Sequence, residues 1–194
     1  MLTCDSGREK KAIAEIENLI YAWVDELYPQ SLESAKQPLL KVVDTGCKGV
    51  VFIRLMRSHP TYESLDVVAL ANGLYREGLR QSRFVSKFIP ICGTCHVDNK
   101  QQFVKLLEVY LPKYMPPGTA WNLDYKVRNN SSTSKQTMSE AILELLPPGC
   151  TYSEEADTTI FLHVNKKMLC FSVLPEVHAC HNYNLQKHYN SLGV

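Results

Sequence analysis

A chain of 194 residues with a formal net charge of +1 at pH 7 holds one generous domain or two small ones. Apolar residues make up 45% and charged residues 21%, which excludes disorder, collagen-like repetition and a disulfide-stapled miniprotein. The charge balance exerts no strong overall field on polyanions, so any nucleic-acid site has to be local.

No run approaches the roughly 18 uninterrupted apolar residues that a spanning helix needs. The opening, Met1 to Arg8, lacks the charged-then-apolar order of a secretory signal. We therefore expect neither a membrane nor export. Cys4, Cys47, Cys92, Cys95, Cys150, Cys170 and Cys180 are odd in number and scattered, unlike a disulfide framework. A reducing compartment, cytosol or nucleus, fits them better.

In chain order, Met1 to Cys4 is a short apolar opening. After Gly7, Ile13, Ile16, Ile20, Trp23, Val24 and Leu27 recur at helical steps, and Pro29 closes that helix. Leu39 to Val43 and Val50 to Leu55 read as two strands around a loop, a candidate hairpin. Leu65, Val68, Ala69, Ala71, Leu74 and Tyr75 suggest a second helix, and Phe84 to Ile91 returns to strand composition before Gly93. The order β-α-β-β-α-β is that of the ferredoxin-like motif.

A new unit begins past Gly93. Phe103, Val104, Leu106, Leu107, Tyr110 and Leu111 mark a helix that we expect to end near Pro112. Pro116, Pro117 and Gly118 supply a turn. Trp121, Leu123, Tyr125 and Val127 then alternate with Asn122, Asp124, Lys126 and Arg128, the clearest half-buried strand in the chain. Thr133 with Gln136 has capping-box spacing for a helix carrying Met138, Ile142, Leu145 and Leu146, stopped by Pro147 and Gly149. Thr158 to Val164 and Met168 to Leu174 are strands joined by Asn165, Lys166 and Lys167 in a tight connection. The tail from Pro175 is polar and is expected to pack along the second unit. The class is α+β, with units at 1–92 and 93–194.

Charge is segregated along the sequence. Arg76, Arg80, Arg83, Lys87, Lys100 and Lys105 are opposed only by Glu77 and Asp98, whereas the stretch from Glu140 to Asp157 carries acids alone. Cys92-Gly93-Thr94-Cys95-His96 formally matches a c-type haem attachment signature, but haem attachment goes with export and the motif follows a strand. The same cysteines with His178, Cys180 and His181 could make a zinc site, yet the second half lacks regular spacing. Loop-stabilising thiols fit better, and we assign no metal and no cofactor. No nucleophile elbow, phosphate loop, dinucleotide fingerprint or helical zinc-histidine pair is present, so no catalytic residue is assigned. Lys126-Val127-Arg128-Asn129-Asn130-Ser131-Ser132 is different. It places two cations on the polar side of a strand, followed by amide and hydroxyl donors that suit phosphate and ribose contacts.

Five short segments in order resemble the THUMP-domain proteins that serve as adaptors for tRNA cytidine acetylation. They are Thr3-Cys4-Asp5-Ser6-Gly7-Arg8-Glu9, Val50-Val51-Phe52-Ile53-Arg54, Pro90-Ile91-Cys92-Gly93-Thr94-Cys95, Tyr125-Lys126-Val127-Arg128-Asn129-Asn130 and Tyr183-Asn184-Leu185-Gln186. The resemblance implies an N-terminal ferredoxin-like domain (1–92) followed by a THUMP domain (93–194). Together they would bind the acceptor end of tRNA and help a partner tRNA cytidine acetyltransferase form N4-acetylcytidine, with no catalysis by the adaptor itself and a nuclear, nucleolar or cytoplasmic location. By position, Lys126, Arg128, Asn129 and Asn130 would face RNA, with Arg83, Lys87, Thr94, Tyr183 and Asn184 as further contacts. Relatives often carry Lys immediately before Tyr-Asn-Leu, where Asn182 stands here. Alternatives are the RNA-binding module of a larger THUMP-type methyltransferase or thiouridine synthase, and a zinc-stabilised interaction module.

Overall fold

The computed structural model describes residues 1–27, 38–56, 65–76, 82–130 and 134–185. Two compact units divide them: residues 1–89 with the tail from Ala179, and residues 90–178.

The first unit runs β1 (Leu2–Cys4), α1 (Glu9–Leu27), β2 (Leu40–Asp44), β3 (Val50–Leu55), α2 (Val67–Arg76) and β4 (Val85–Phe88). Its four-stranded sheet has the order β2-β3-β1-β4. β2 and β3 form the expected hairpin, with Leu40 opposite Leu55 and Asp44 opposite Val51. The apolar periodicity of α1 is satisfied by burial: Ala12, Ile16, Ile20 and Val24 lie in the core with Val68, Ala71, Leu74 and Tyr75 of α2. At Gly73 of α2 an added Cβ would sit 2.8 Å from Cζ2 of Trp23, so glycine is what lets the two helices approach. Pro29, expected to close α1, lies outside the described residues.

The second unit adds β5 (Gly93–His96), α3 (Lys100–Tyr114), β6 (Ala120–Arg128), α4 (Lys135–Leu145), β7 (Thr151–Tyr152), β8 (Thr158–Asn165) and β9 (Met168–Leu174). The sheet order is β5-β9-β8-β6-β7. Phe103, Leu107 and Leu111 of α3 and Met138 and Ile142 of α4 pack on Trp121, Ile160, Leu162, Val164, Leu169, Phe171 and Val173. The Phe103 and Phe171 rings meet edge to face with centroids 6.1 Å apart. Burying each such ring contributes about 1.5–3 kcal/mol, so this layer is the main source of the unit's stability.

Several expectations are corrected. α3 does not end at Pro112 but continues to Tyr114. A proline in the last turn removes one N–H from the ladder, and the amide of Met115 still donates to Leu111 O at 2.8 Å, closing the helix beyond it. Thr133 lies outside the described residues. Ser134 is the N-cap of α4 and makes no side-chain cap bond, while Gln136 reaches forward to Glu140 Oε1 at 3.0 Å instead of back to the cap. The described tail is split: residues 175–178 stay with the second unit, as expected, whereas from Ala179 it belongs to the first. Tyr183 meets Tyr75 edge to face at 5.4 Å, and Cys180 and Leu185 are buried. A segment polar on average thus carries three anchors into a core.

Candidate nucleic-acid interface

The alternation of β6 sorts its side chains as the sequence requires. Trp121, Leu123, Tyr125 and Val127 face the helix-covered core. Asn122, Asp124, Lys126 and Arg128 therefore take the other face. β6 pairs in parallel with β8 along its length, from Trp121 opposite Thr158 to Arg128 opposite Asn165. On its other side β7 pairs only with Ala120 and Trp121, so the C-terminal half of β6 has no second strand neighbour among the described residues. The strip from Lys126 onward thus lies on an open edge.

Lys126, Arg128 and Asn129 are exposed and Asn130 is half-buried. Lys126 is held rather than loose, because its Nζ lies 2.9 Å from Asp124 Oδ1. His163, opposite Lys126 on β8, brings Nε2 to 3.3 Å from the same oxygen, but too bent for a hydrogen bond. Burial pushes the His163 imidazole down from its ordinary value, against the pull of Asp124, so the ring is neutral at pH 7. Burial acts to raise the Asp124 carboxyl, yet the adjacent His163 imidazole and the Lys126 ammonium, which is hydrogen-bonded to it, overturn it and hold the group well below the carboxylate range. Asp124 is thus ionised, with the Lys126 ammonium as its cationic partner.

Past Arg128 the chain turns sharply. Asn129 adopts a left-handed φ of 53°, which asparagine tolerates better than most residues. Asn130 donates its amide to Lys166 O at 2.7 Å. Ser131 and Ser132 lie outside the described residues.

The remaining residues assigned from the resemblance are distributed over both units. Arg83 is exposed just before β4, and its backbone N–H donates to Glu15 Oε1 at 2.6 Å. Lys87, half-buried on β4, pairs with Thr3 of β1 and bridges to Asn184 of the tail. Tyr183 is 1% exposed and its hydroxyl donates to Asn72 Oδ1 at 2.6 Å, so it offers no ring face to a base. Thr94 is half-buried on β5, opposite Cys170 of β9 and separated from β6 by two strands. The structure therefore gathers Lys126, Arg128, Asn129 and Asn130 at one place, and Lys87, Tyr183 and Asn184 at another. Asn182, standing where relatives carry Lys, has φ 56° between two further left-handed residues, a backbone better suited to Asn than to Lys.

The thiols and imidazoles have their own partners. Cys92 Sγ lies 3.1 Å from Ser172 Oγ, Cys95 is in the core, Cys180 Sγ donates to Asn72 Oδ1, and His178 lies 3.4 Å from Asp157 Oδ1. Among the described residues no group of three His, Cys, Asp or Glu side chains could hold a metal ion.

Two features of the strip escaped sequence reasoning. Asp124, two positions before Lys126 on the same strand face, was readable from the alternation and signals an ion pair. The proximity of the β8–β9 turn was not readable, because the parallel register of β6 on β8 is a long-range choice.

No family model matches the chain. In sequence it is 29% identical over 154 residues to human THUMP domain-containing protein 1, covering 75% of this chain and 42% of that protein. The mouse protein of the same name is 26% identical over 153 residues, with 75% and 42% covered. The chain thus spans well under half the length of these curated relatives. In structure, a crystal structure of a Pyrococcus horikoshii Ot3 protein aligns over 90% of this chain and 54% of that one, with a TM-score of 0.52 and 11% identity, which is a likeness of fold. The sequence similarity supports a THUMP-domain relationship for this chain.

Proposed function

We propose that this chain is a non-catalytic tRNA-binding adaptor that grips the acceptor end of tRNA and helps a partner acetyltransferase form N4-acetylcytidine. The observation that carries the RNA-binding part is the exposed end of β6. Lys126, Arg128 and Asn129 stand together at an open sheet edge, and Arg128 has no ion pair among the described residues. A guanidinium there offers a two-pronged phosphate donor, the ammonium a point charge, and the asparagine amides bonds to backbone or ribose oxygens. None of these reads a base edge. Recognition on this reading rests on RNA shape and the ribose hydroxyl, and affinity is modest and salt-sensitive because the net charge is only +1.

The sheet order β2-β3-β1-β4 supports the ferredoxin-like reading of the first unit, and the similarity to human THUMP domain-containing protein 1 supports the THUMP reading of the second. The acetyltransferase partner and a nuclear or nucleolar location rest on the sequence resemblance alone.

The test is binding of whole tRNA by the full chain, compared with duplex RNA of equal length. Lys126→Ala with Arg128→Ala should weaken tRNA binding about tenfold at physiological salt and lower the salt slope by about 1 to 2, at unchanged melting temperature. Equal affinity for both RNAs, or an unaltered double variant, rejects the assigned strip. Loss of acetylcytidine confined to tRNA in cells lacking the protein tests the adaptor role.

A further inference from the structure

The β8–β9 hairpin closes through two residues, Lys166 and Lys167, between the paired Asn165 and Met168. Loops of this length favour Gly, Asn or Asp where φ is positive, because a Cβ is strained there. Yet the first loop position is Lys166, with φ 55°. A lysine in the place of a glycine gains nothing for the hairpin, and an unfavourable backbone of this kind points to a use for the side chain.

The turn is also fastened to the strip. Lys166 N–H donates to Arg128 O at 2.8 Å, and Asn130 returns its side-chain amide to Lys166 O at 2.7 Å. On the far side, Val97 N–H donates to Lys167 O at 2.8 Å. The turn is therefore pinned from β6 and from the end of β5. Both lysines are exposed, and neither has an ion pair among the described residues. Of the acids on the elements that pin the turn, Asp124 of β6 is paired with Lys126 at 2.9 Å, and Asp98, next to Val97, lies 3.5 Å from His96.

We infer that Lys166 and Lys167 are a second pair of backbone-phosphate contacts, continuing the Lys126–Asn130 strip around the end of the sheet, with Asn130 acting as the residue that positions the turn. The ligand class is a single-stranded or splayed sugar-phosphate chain that leaves the β6 edge and crosses the hairpin. The inference rests on the RNA-binding reading above and adds the direction in which the chain runs.

Lys166→Gly separates the structural role from the binding role, because the two respond with opposite sign. Glycine relieves the backbone, so the melting temperature should stay level or rise, while tRNA affinity falls about threefold and the salt slope drops by about 1. Lys167→Ala should weaken binding by a similar factor, and Lys166→Arg should restore most of it. The probe is a whole tRNA transcript titrated against the full chain at several salt concentrations. Wild-type affinity in Lys166→Gly and Lys167→Ala, alongside weakened binding in the Lys126/Arg128 double variant, overturns the inference and leaves the strip standing. No tRNA binding by the unaltered chain overturns both. A melting temperature that falls in Lys166→Gly removes the strain argument and counts against the inference.

Discussion

The Asp124 carboxylate lies 2.9 Å from the Lys126 ammonium, two positions along the same face of β6. It therefore holds one of the two cations on which RNA binding is proposed to depend. Asp124→Asn should release Lys126 and remove one negative charge from the strip, raising tRNA affinity about threefold at physiological salt. It should also cost about 1 kcal/mol of stability at pH 7. The pH dependence follows from the depressed carboxyl. Its native value lies below the unfolded value of about 3.9, so the ionised form favours the folded state. That stability is complete above about pH 5 and is lost as pH falls below about 4. Urea unfolding at pH 7 and pH 3 should show the gap between wild type and Asp124→Asn narrowing at the lower pH. A constant gap means the carboxyl is not held as described.

Tyr183 gives a contrasting prediction, because it belongs to the sequence segment assigned to RNA but lies in a core. Its hydroxyl donates to Asn72 Oδ1 at 2.6 Å, and it closes a turn in which His181, Asn182 and Tyr183 all have left-handed φ. Such a turn costs about 1–2 kcal/mol per residue, so its anchors have to over-determine it. Tyr183→Phe keeps the ring against Tyr75 and removes the hydroxyl from a buried pair, costing about 1–3 kcal/mol. Thermal unfolding should register that loss while tRNA affinity at a temperature well below the transition stays unchanged. Affinity that falls with stability intact would instead make the hydroxyl an RNA contact.

Local pattern and long-range pairing explain what the sequence disclosed. β6 was legible because its alternation spans nine residues with one face on the core, a signal that neighbouring structure has no reason to override. The β2–β3 hairpin and the β8–β9 hairpin were legible for the same reason, each being local. β5 was not, since Gly93-Thr94-Cys95-His96 has neither alternation nor β-branched enrichment and becomes a strand only by pairing with β9. The tail from Ala179 was misplaced because its mean polarity hides the buried Cys180, Tyr183 and Leu185, and the Asn72 that Cys180 and Tyr183 bond lies 108 and 111 residues earlier. For the site, the cations of the strip were visible in order. Their restraint by Asp124 on the same strand was open to inspection, whereas the fastening of Lys166 to Arg128 depends on a parallel register that periodicity does not encode.

Glu15 offers a test in the first unit that is independent of RNA. Its carboxylate accepts from Ser82 Oγ at 3.0 Å and from the backbone N–H groups of Arg83, Phe84 and Val85 at 2.6, 3.1 and 3.2 Å. One side chain on α1 thus satisfies three successive amides at the entry to β4, where no preceding strand can. The adjacent Phe84 ring lies 5.2 Å from Lys11 Nζ and 6.0 Å from Arg8 Cζ, so the same turn also seats one cation of α1 and one just before it. Glu15→Ala leaves the Arg83 and Phe84 amides without this acceptor, while Val85 keeps Ser82 Oγ at 3.1 Å, and should cost about 2–4 kcal/mol, since bonds to an ionised oxygen are worth more than neutral ones. Glu15→Gln keeps one carbonyl oxygen but turns an NH2 toward donors, so it should recover less than half of the loss. Hydrogen exchange at Arg83, Phe84 and Val85 should quicken in both variants before the helices open. Protection at those three amides unchanged in Glu15→Ala would show that something other than this carboxylate holds the entry to β4.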